Sequence, residues 1–175
     1  ISTHREENVD NPSNLKKILT VLEELAATYN LPVIVSTHPR TRKRIEQLGE
    51  TSINNNIQCL KSFGLLDYVF LQQNALCTLS DSGTISDESS ILNFPAISLR
   101  QSMERPEAQD TGSIILTGFD VDVILNSISL AIKEKTERKI NSIPEDYQIE
   151  DTSWRVVKLI AGNTKLSNKW WGIKK

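Results

Sequence analysis

The sequence of 175 residues lacks long hydrophobic runs, clustered cysteines and an excess of charge of either sign. Its 20 lysines and arginines against 22 acidic residues give a net charge of −2, whereas nucleic-acid-binding domains usually carry a clearly basic face. No apolar run approaches the roughly 20 residues that span a bilayer. Cys59 and Cys77 lie outside any CxxC or histidine-rich context, so neither a metal nor a redox motif is present. We therefore expect a cytoplasmic protein that binds no nucleic acid, membrane, metal or cofactor.

Segments with helical periodicity alternate with short apolar segments typical of buried strands. The best-defined helices are 15–29, with Ser13 or Asn14 as N-cap, and 121–135. Strands are predicted at 33–35, 57–60, 75–79, 96–99 and 113–116, and shorter helices at 41–48, 67–74 and 84–92. Strands separated by helices indicate βαβ units. The sequence thus predicts an α/β fold, a Rossmann-like parallel sheet with helices on both faces.

Both ends of the sequence suggest a piece of a larger protein. It opens on Ile-Ser-Thr-His without a methionine, as if at the end of a strand. After a polar connection it closes with an amphipathic segment, 154–160, and the pair Trp170-Trp171. Adjacent tryptophans in a polar tail are typical of a segment that covers another surface. We expect residues 151–175 to form a helix and tail that dock on a domain missing from this sequence.

Ligands of open α/β sheets bind beyond the carboxyl ends of the strands, so the segments after each strand are the candidate sites. In one of them, Ser82, Gly83 and Thr84 separate an apolar strand from a helix. Small residues let the backbone approach a ligand, and the free N–H groups of a helix start attract phosphate. The segment is therefore a candidate phosphate site, although a simple capped turn explains it equally well.

Three further segments carry suitable side chains. Glu88 follows the turn by six residues and could accept hydrogen bonds from a ribose diol, or simply be solvated. Arg105, before Pro106, offers a planar fork to a phosphate or carboxylate, or forms a structural ion pair with a glutamate. His4 could donate to a diphosphate or move a proton, and Arg5 and His38 are weaker candidates for the site.

Four segments occur in a fixed order along the chain. They are Thr3-His4-Arg5-Glu6, Ser80-Asp81-Ser82-Gly83, Glu88 and Glu104-Arg105-Pro106-Glu107. In this order they resemble the C-terminal domain of the non-hydrolysing UDP-N-acetylglucosamine 2-epimerases. The resemblance covers nearly the whole chain, from Thr3 to the helix at Val121, and is strongest between Ser80 and Gly118.

The resemblance implies a two-domain GT-B fold with a UDP-sugar in the cleft, of which this chain is the second half, and a homodimer as the full-length protein. It assigns the diphosphate to Ser82, Gly83, Thr84, Arg105 and His4, with His4 the catalytic candidate of this half. It assigns the ribose to Glu88 and places Tyr68 near uracil. Thr84 departs from the second glycine of most members, which limits its backbone, although its hydroxyl could contact phosphate. The carboxylates that move the C2 proton are expected in the N-terminal domain.

The run from Ser82 to Ser90 is most similar to the branch that makes UDP-N-acetyl-L-fucosamine from UDP-2-acetamido-2,6-dideoxy-L-talose. Membership of that branch would imply a role in bacterial capsule or O-antigen synthesis. Two other interpretations stay open on the sequence. A GT-B glycosyltransferase would share the fold and the phosphate turn but need a sugar acceptor, and a non-catalytic nucleotide-binding module would bind without turnover.

Overall fold

The computed structural model describes residues 1–37, 39–47, 54–137 and 143–173. The chain divides into two compact units, residues 1–144 and 145–175. The elements of the first unit are α1 (Glu6–Val9), α2 (Pro12–Tyr29), β1 (Val33–Thr37), α3 (Pro39–Gln47), β2 (Ile57–Lys61), α4 (Leu65–Asn74), β3 (Thr78–Ser80), α5 (Ile85–Leu92), β4 (Ala96–Ser98), α6 (Pro106–Asp110), β5 (Ile115–Leu116) and α7 (Val121–Glu137).

The described strands pair in parallel, and the first three residues of the chain join them into one sheet. β1 pairs with β2, and β3, β4 and β5 form a second ladder. Ser2 makes parallel bridges to Ser36 of β1 and to Ser80 of β3, so residues 1–3 act as a strand between the two ladders. The order is then β2, β1, residues 1–3, β3, β4, β5, which is the 3-2-1-4-5-6 order of a Rossmann fold. With helices on both sides of the sheet, the predicted fold class is confirmed.

The main core lies between the sheet and helices α2 and α7. α2 presents an apolar stripe at helical spacing because leucines and isoleucines recur every three or four residues. The fully buried members of the core come from α2, the strands, the residue after β4 and α7: Leu22, Val35, Ile97, Leu99, Ile124 and Ile128. This layer fixes the strand directions and hence the edge of the sheet at which the site lies.

The start of α2 differs from the prediction. The side chain of Asn11 accepts hydrogen bonds from the backbone N–H groups of Ser13, at 2.9 Å, and Asn14, at 3.4 Å, so Asn11 is the N-cap. Pro12 occupies the first helical position, where its missing N–H costs nothing. The N-cap assignment to Ser13 or Asn14 is therefore wrong by two or three residues. At the other end, Asn30 adopts a left-handed conformation with φ of 48° and ends the helix.

The second unit contains a 3-10 turn, Glu145–Gln148, and a long helix, α8 (Thr152–Trp170). None of the described residues of these two elements is buried. The exposed large apolar side chains include Trp154, Leu159, Ile160, Trp170 and Trp171. Among the helices that the structure describes in either unit, none is long and apolar enough to cross a membrane.

Candidate functional site

The candidate residues gather at the carboxyl ends of two neighbouring strands. Residues 1–3 and β3 lie side by side, and the strand order reverses direction between them. His4 and Arg5 follow the first of these strands, and the segment from Asp81 to Thr84 follows the second. This reversal is the point at which open α/β sheets bind their ligands, because the two following loops diverge and leave a crevice.

Asp81 connects the two loops through hydrogen bonds. The sequence analysis did not name it as a candidate site residue. Its side chain is 0% exposed and accepts hydrogen bonds from the backbone N–H groups of His4, at 3.1 Å, and Arg5, at 3.1 Å. The side-chain amide of Asn8 donates a third bond, at 2.9 Å. Oriented hydrogen bonds compensate for the burial of its charge. Asp81 thereby fixes the backbone from which the His4 and Arg5 side chains project.

The His4 side chain lies partly exposed beside this strand reversal. Its Nδ1 is 3.4 Å from Oδ1 of Asp81, while 55% of the side chain is exposed. The contact with Asp81 involves Nδ1, which leaves Nε2, on the other side of the ring, able to contact a ligand. The structure thus holds His4 in an orientation compatible with the proton-transfer or donor role expected of it.

Arg5 and Arg100 hold a single carboxylate between them. Nη2 of Arg5 donates to both oxygens of Glu104, at 3.0 and 3.1 Å, and Nη1 of Arg100 lies 2.5 Å from Oε2. The hydrogen bond from Arg100, with that from Arg5 acting in the same direction, lowers the pKa of Glu104 to about 2. Arg5, a weaker candidate on the sequence, is therefore linked to the Glu-Arg-Pro-Glu segment, whereas Glu104 and Arg100 were not predicted as site residues.

Gly83 lies directly against this carboxylate. A Cβ placed on Gly83 would stand 2.6 Å from Oε2 of Glu104, closer than carbon and oxygen atoms approach. The φ angle of Gly83 is not in the left-handed region, so an added Cβ would conflict with the end of the Glu104 side chain rather than with the backbone. The approach of a ligand to the backbone at this turn stays a prediction, and in this structure the Glu104 carboxylate lies there.

Thr84 has an unstrained backbone at the start of α5. With φ of −70° it occupies a helical conformation open to any residue, so the limit expected from its Cβ does not apply here. Its hydroxyl lies 3.0 Å from the hydroxyl of Ser82 and donates to Oε1 of Glu88 at 2.8 Å. The expected contact of this hydroxyl with phosphate stays a prediction, and in this structure the hydroxyl bonds Glu88. The side chain of Thr84, the N-cap residue, does not cap α5, so the helix start is suited to an anion.

Tyr68 and Glu88 meet beside the same turn. Tyr68, on α4, is half-buried, and its hydroxyl contacts the side chains of Ser2, Gln72 and Ser80, while burial raises its pKa. Gln72 donates its amide to Oε2 of Glu88 at 2.6 Å. Gln72 is a further residue that the sequence interpretation missed. Gln72 thus connects Tyr68 to the carboxylate assigned to the ribose, and the roles of Tyr68 and Glu88 stay predictions.

Arg105 reaches α5 from the start of α6. Its Nε lies 3.3 Å from Oδ1 of Asp87, and 43% of its side chain is exposed. Of the two interpretations open on the sequence, an ion pair is thus observed, but with an aspartate rather than a glutamate. His38, the weakest candidate, lies outside the described residues.

The chain is similar in sequence to one family. A sequence profile described as UDP-N-acetylglucosamine 2-epimerase matches residues 1–161. The UDP-N-acetylglucosamine 2-epimerase of Methanocaldococcus jannaschii is 34% identical over 142 residues, which cover 79% of this chain and 39% of the relative. The UDP-2,3-diacetamido-2,3-dideoxy-D-glucuronate 2-epimerase of Pseudomonas aeruginosa is 33% identical over 124 residues, 71% of this chain and 34% of the relative.

Solved structures show the same similarity. The UDP-N-acetylglucosamine 2-epimerase of Rickettsia bellii is 36% identical, with a TM-score of 0.80 over 99% of this chain and 46% of that chain. The UDP-GlcNAc 2-epimerase of Methanocaldococcus jannaschii, solved in complex with UDP-GlcNAc and UDP, is 30% identical, with a TM-score of 0.78 over 91% of this chain and 44% of that chain. The chain therefore spans less than half the length of these relatives.

Proposed function

This chain belongs to the UDP-N-acetylglucosamine 2-epimerase family, and we propose that it supplies the UDP-binding half of a UDP-sugar 2-epimerase. The observation that carries the proposal is the junction at the strand reversal, where Asp81 accepts hydrogen bonds from the backbone of His4 and Arg5 and its loop leads into the start of α5. Backbone N–H groups at a helix start, together with cationic side chains, form the environment that a diphosphate requires.

Within this proposal each candidate residue has a role. Ser82, Gly83 and Thr84 bind the diphosphate through the backbone at the start of α5, and His4 and Arg105 approach it from the two flanking segments. Glu88 accepts the ribose hydroxyls, and Tyr68 lies on the side at which uracil is bound. No group of three or more histidine, cysteine or acidic side chains within the described ranges could hold a metal ion.

The mechanism proposed is inversion at C2 of the sugar through loss and return of UDP. Removal of the C2 proton and anti-elimination of UDP give a 2-acetamidoglycal, and UDP then adds back to C1 as a proton is delivered to the other face of C2. Negative charge develops on the departing diphosphate, so donors already oriented towards it stabilise the transition state. His4, Arg105 and the backbone at Gly83 supply those donors, while the acid and base carboxylates belong to the other half.

The proposal includes the domain arrangement. The matched region covers 39% of the Methanocaldococcus jannaschii relative and 46% of the Rickettsia bellii structure, so both relatives are more than twice as long as the region matched. We assign this chain to the C-terminal half, with residues 151–175 docking on the N-terminal half. The exposed apolar side chains of α8, among them Trp154 and Trp170, support a role in docking. A homodimeric full-length protein acting in the cytoplasm completes this arrangement.

The substrate is proposed to be the L-talose compound of the UDP-N-acetyl-L-fucosamine branch, for the synthesis of bacterial surface polysaccharide. The support is the run from Ser82 to Ser90, in which Thr84 follows Gly83 and bonds Glu88. A turnover assay of the full-length protein with UDP-2-acetamido-2,6-dideoxy-L-talose and with UDP-N-acetylglucosamine tests this assignment. Faster conversion of the second sugar would contradict it.

Calorimetric titration of the chain with UDP, UMP and CMP tests UDP binding. We expect UDP to bind with about −4 to −6 kcal/mol, corresponding to high micromolar to millimolar affinity, and UMP and CMP to bind more weakly. Arg105→Ala should weaken UDP binding, whereas Arg155→Ala, an exposed arginine of α8, should leave it unchanged. Failure of the folded chain to bind any of the three nucleotides would contradict the proposal. Turnover that requires a sugar acceptor would instead identify a glycosyltransferase.

A further inference from the structure

The Glu88 carboxylate is held from both sides. The Thr84 hydroxyl donates to Oε1 at 2.8 Å, and the Gln72 amide donates to Oε2 at 2.6 Å. The two donors come from different elements, since Gln72 belongs to α4 and Thr84 precedes α5. A carboxylate that accepts one bond on each oxygen cannot rotate about its last torsion without breaking both.

The Gln72 side chain is buried, and its amide bonds Glu88 instead of solvent. Its side chain is 2% exposed, although an amide is costly to bury without hydrogen bonds. Tyr68, one turn earlier on α4, contacts Gln72 and also the side chains of Ser2 and Ser80 at the strand reversal. Through Tyr68, Gln72 is therefore connected to Ser2 and Ser80 at the strand reversal.

The two bonds leave a defined acceptor pattern on Glu88. An ionised carboxylate offers about four lone-pair directions, two on each oxygen. With one direction on each oxygen used by Gln72 and Thr84, one on each oxygen is left. Two acceptors about 2.2 Å apart match the two hydroxyls of a vicinal diol, one bond to each, whereas a 2′-deoxyribose can use only one of them.

We propose that Gln72 and Thr84 are positioning residues that orient the Glu88 carboxylate towards a vicinal diol, and that they set a preference for ribonucleotide over 2′-deoxyribonucleotide ligands. The proposal rests on the proposed binding of UDP and adds a source of its selectivity. In it the Thr84 hydroxyl acts through Glu88 on the ribose rather than on the phosphate.

Titration with UDP and with 2′-deoxy-UDP tests the proposal. In the unmodified chain, UDP should bind about tenfold more tightly than 2′-deoxy-UDP, as expected for one hydrogen bond to a charged group. Thr84→Val should reduce this ratio several-fold by weakening UDP alone, and Thr84→Ser should restore it because the hydroxyl returns. Gln72→Met should act in the same direction. Thr20→Val, which removes an exposed hydroxyl bonded within α2, is the matched control and should leave the ratio unchanged.

The other outcomes separate the two proposals. If Thr84→Val weakens UDP and 2′-deoxy-UDP equally, its hydroxyl serves the diphosphate and the positioning role is wrong. Equal binding of both nucleotides by the unmodified chain would overturn the diol preference but leave UDP binding intact, and binding of neither would overturn both. Thr84 is exposed, so its variants decide the question even if the buried Gln72→Met variant fails to fold.

Discussion

Removing the Asp81 carboxylate should destabilise the chain more than the loss of any exposed acidic side chain. Asp81 is 0% exposed and accepts bonds from three donors, the backbone N–H groups of His4 and Arg5 and the amide of Asn8. Asp81→Ala leaves all three donors without this acceptor, and the bond from Asn8 lies in a buried region while those from His4 and Arg5 are partly buried. Asp81→Asn keeps the size and one acceptor oxygen but directs an NH₂ group at one of the donors.

The expected magnitude follows from the number and type of these bonds. A hydrogen bond to a charged group contributes about 1.5–3 kcal/mol, and coupled bonds in one network contribute less than their sum. We therefore expect Asp81→Ala to lower the free energy of unfolding by about 3–5 kcal/mol and Asp81→Asn by about 2–3 kcal/mol. At about 2–4 °C per kcal/mol for a chain of this size, the alanine variant should melt roughly 10 °C lower.

Urea unfolding followed by circular dichroism measures the free energy, and amide hydrogen exchange measures the local effect at residues 4 and 5. Asp110→Ala is the matched control, because Asp110 is exposed at the end of α6, and it should change stability by less than about 0.5 kcal/mol. A loss below about 1 kcal/mol for Asp81→Ala, with unchanged protection of the His4 and Arg5 amides, would refute the reasoning.

Two further predictions concern Glu104 and its neighbour Gly83. The pKa of Glu104 is about 2 in the folded chain and 4.5 in the unfolded chain. As the pH falls, the unfolded chain therefore takes up a proton at Glu104 before the folded chain does. This carboxylate thus stabilises the fold above pH 4.5 and loses that effect as the pH falls to about 2. The free energy of unfolding, measured across that pH range, should therefore be higher for the unmodified chain than for Glu104→Gln, and this difference should disappear at low pH. A difference that stays constant with pH would contradict the effect of the two arginine contacts. Gly83→Ala places a Cβ 2.6 Å from Oε2 of Glu104, the end of a flexible side chain, so Glu104 should turn away, lose its contacts with Arg5 and Arg100, and cause a small loss of stability. The substitution should have no effect in a Glu104→Ala background, and an equal loss there would show that a group other than this carboxylate disfavours the Cβ; Gly162→Ala on α8, with no atom within 4 Å of the added Cβ, is the control.

The alternation of helices and strands was predictable because local periodicity determines it. The apolar spacing from Leu15 to Ala26 and the β-branched run from Val33 to Val35 both lie in the predicted elements. Boundaries were less accurate where tertiary contacts decide them. The strand predicted at 75–79 is β3, Thr78–Ser80, because Leu76 faces solvent with 44% exposure and pairing with β4 begins only at Thr78. The helix predicted at 154–160 continues through Gly162 to Trp170 in spite of the glycine.

The candidate site was predictable to the extent that it depends on position after a strand. The structure brings Ser82, Gly83 and Glu88 together with the first residues of the chain, as the strand-end rule predicts. The residues that sequence reasoning missed act through partners distant along the chain. Asp81 bonds residues more than 70 positions away, and Arg5 reaches Glu104 across 99 positions. Neither a local pattern nor a motif contains that information.

The position of residues 1–3 in the middle of the sheet has a consequence for how the chain acquires its structure. These residues are translated before all their partners, yet their two sides pair with Ser36 and Ser80. At about 5–20 residues per second, several seconds separate the synthesis of Ser2 from that of Ser80. The edge of residues 1–3 that pairs with Ser80 therefore has no partner during that interval, and closure of the central pair is a late, long-range step that should limit the folding rate.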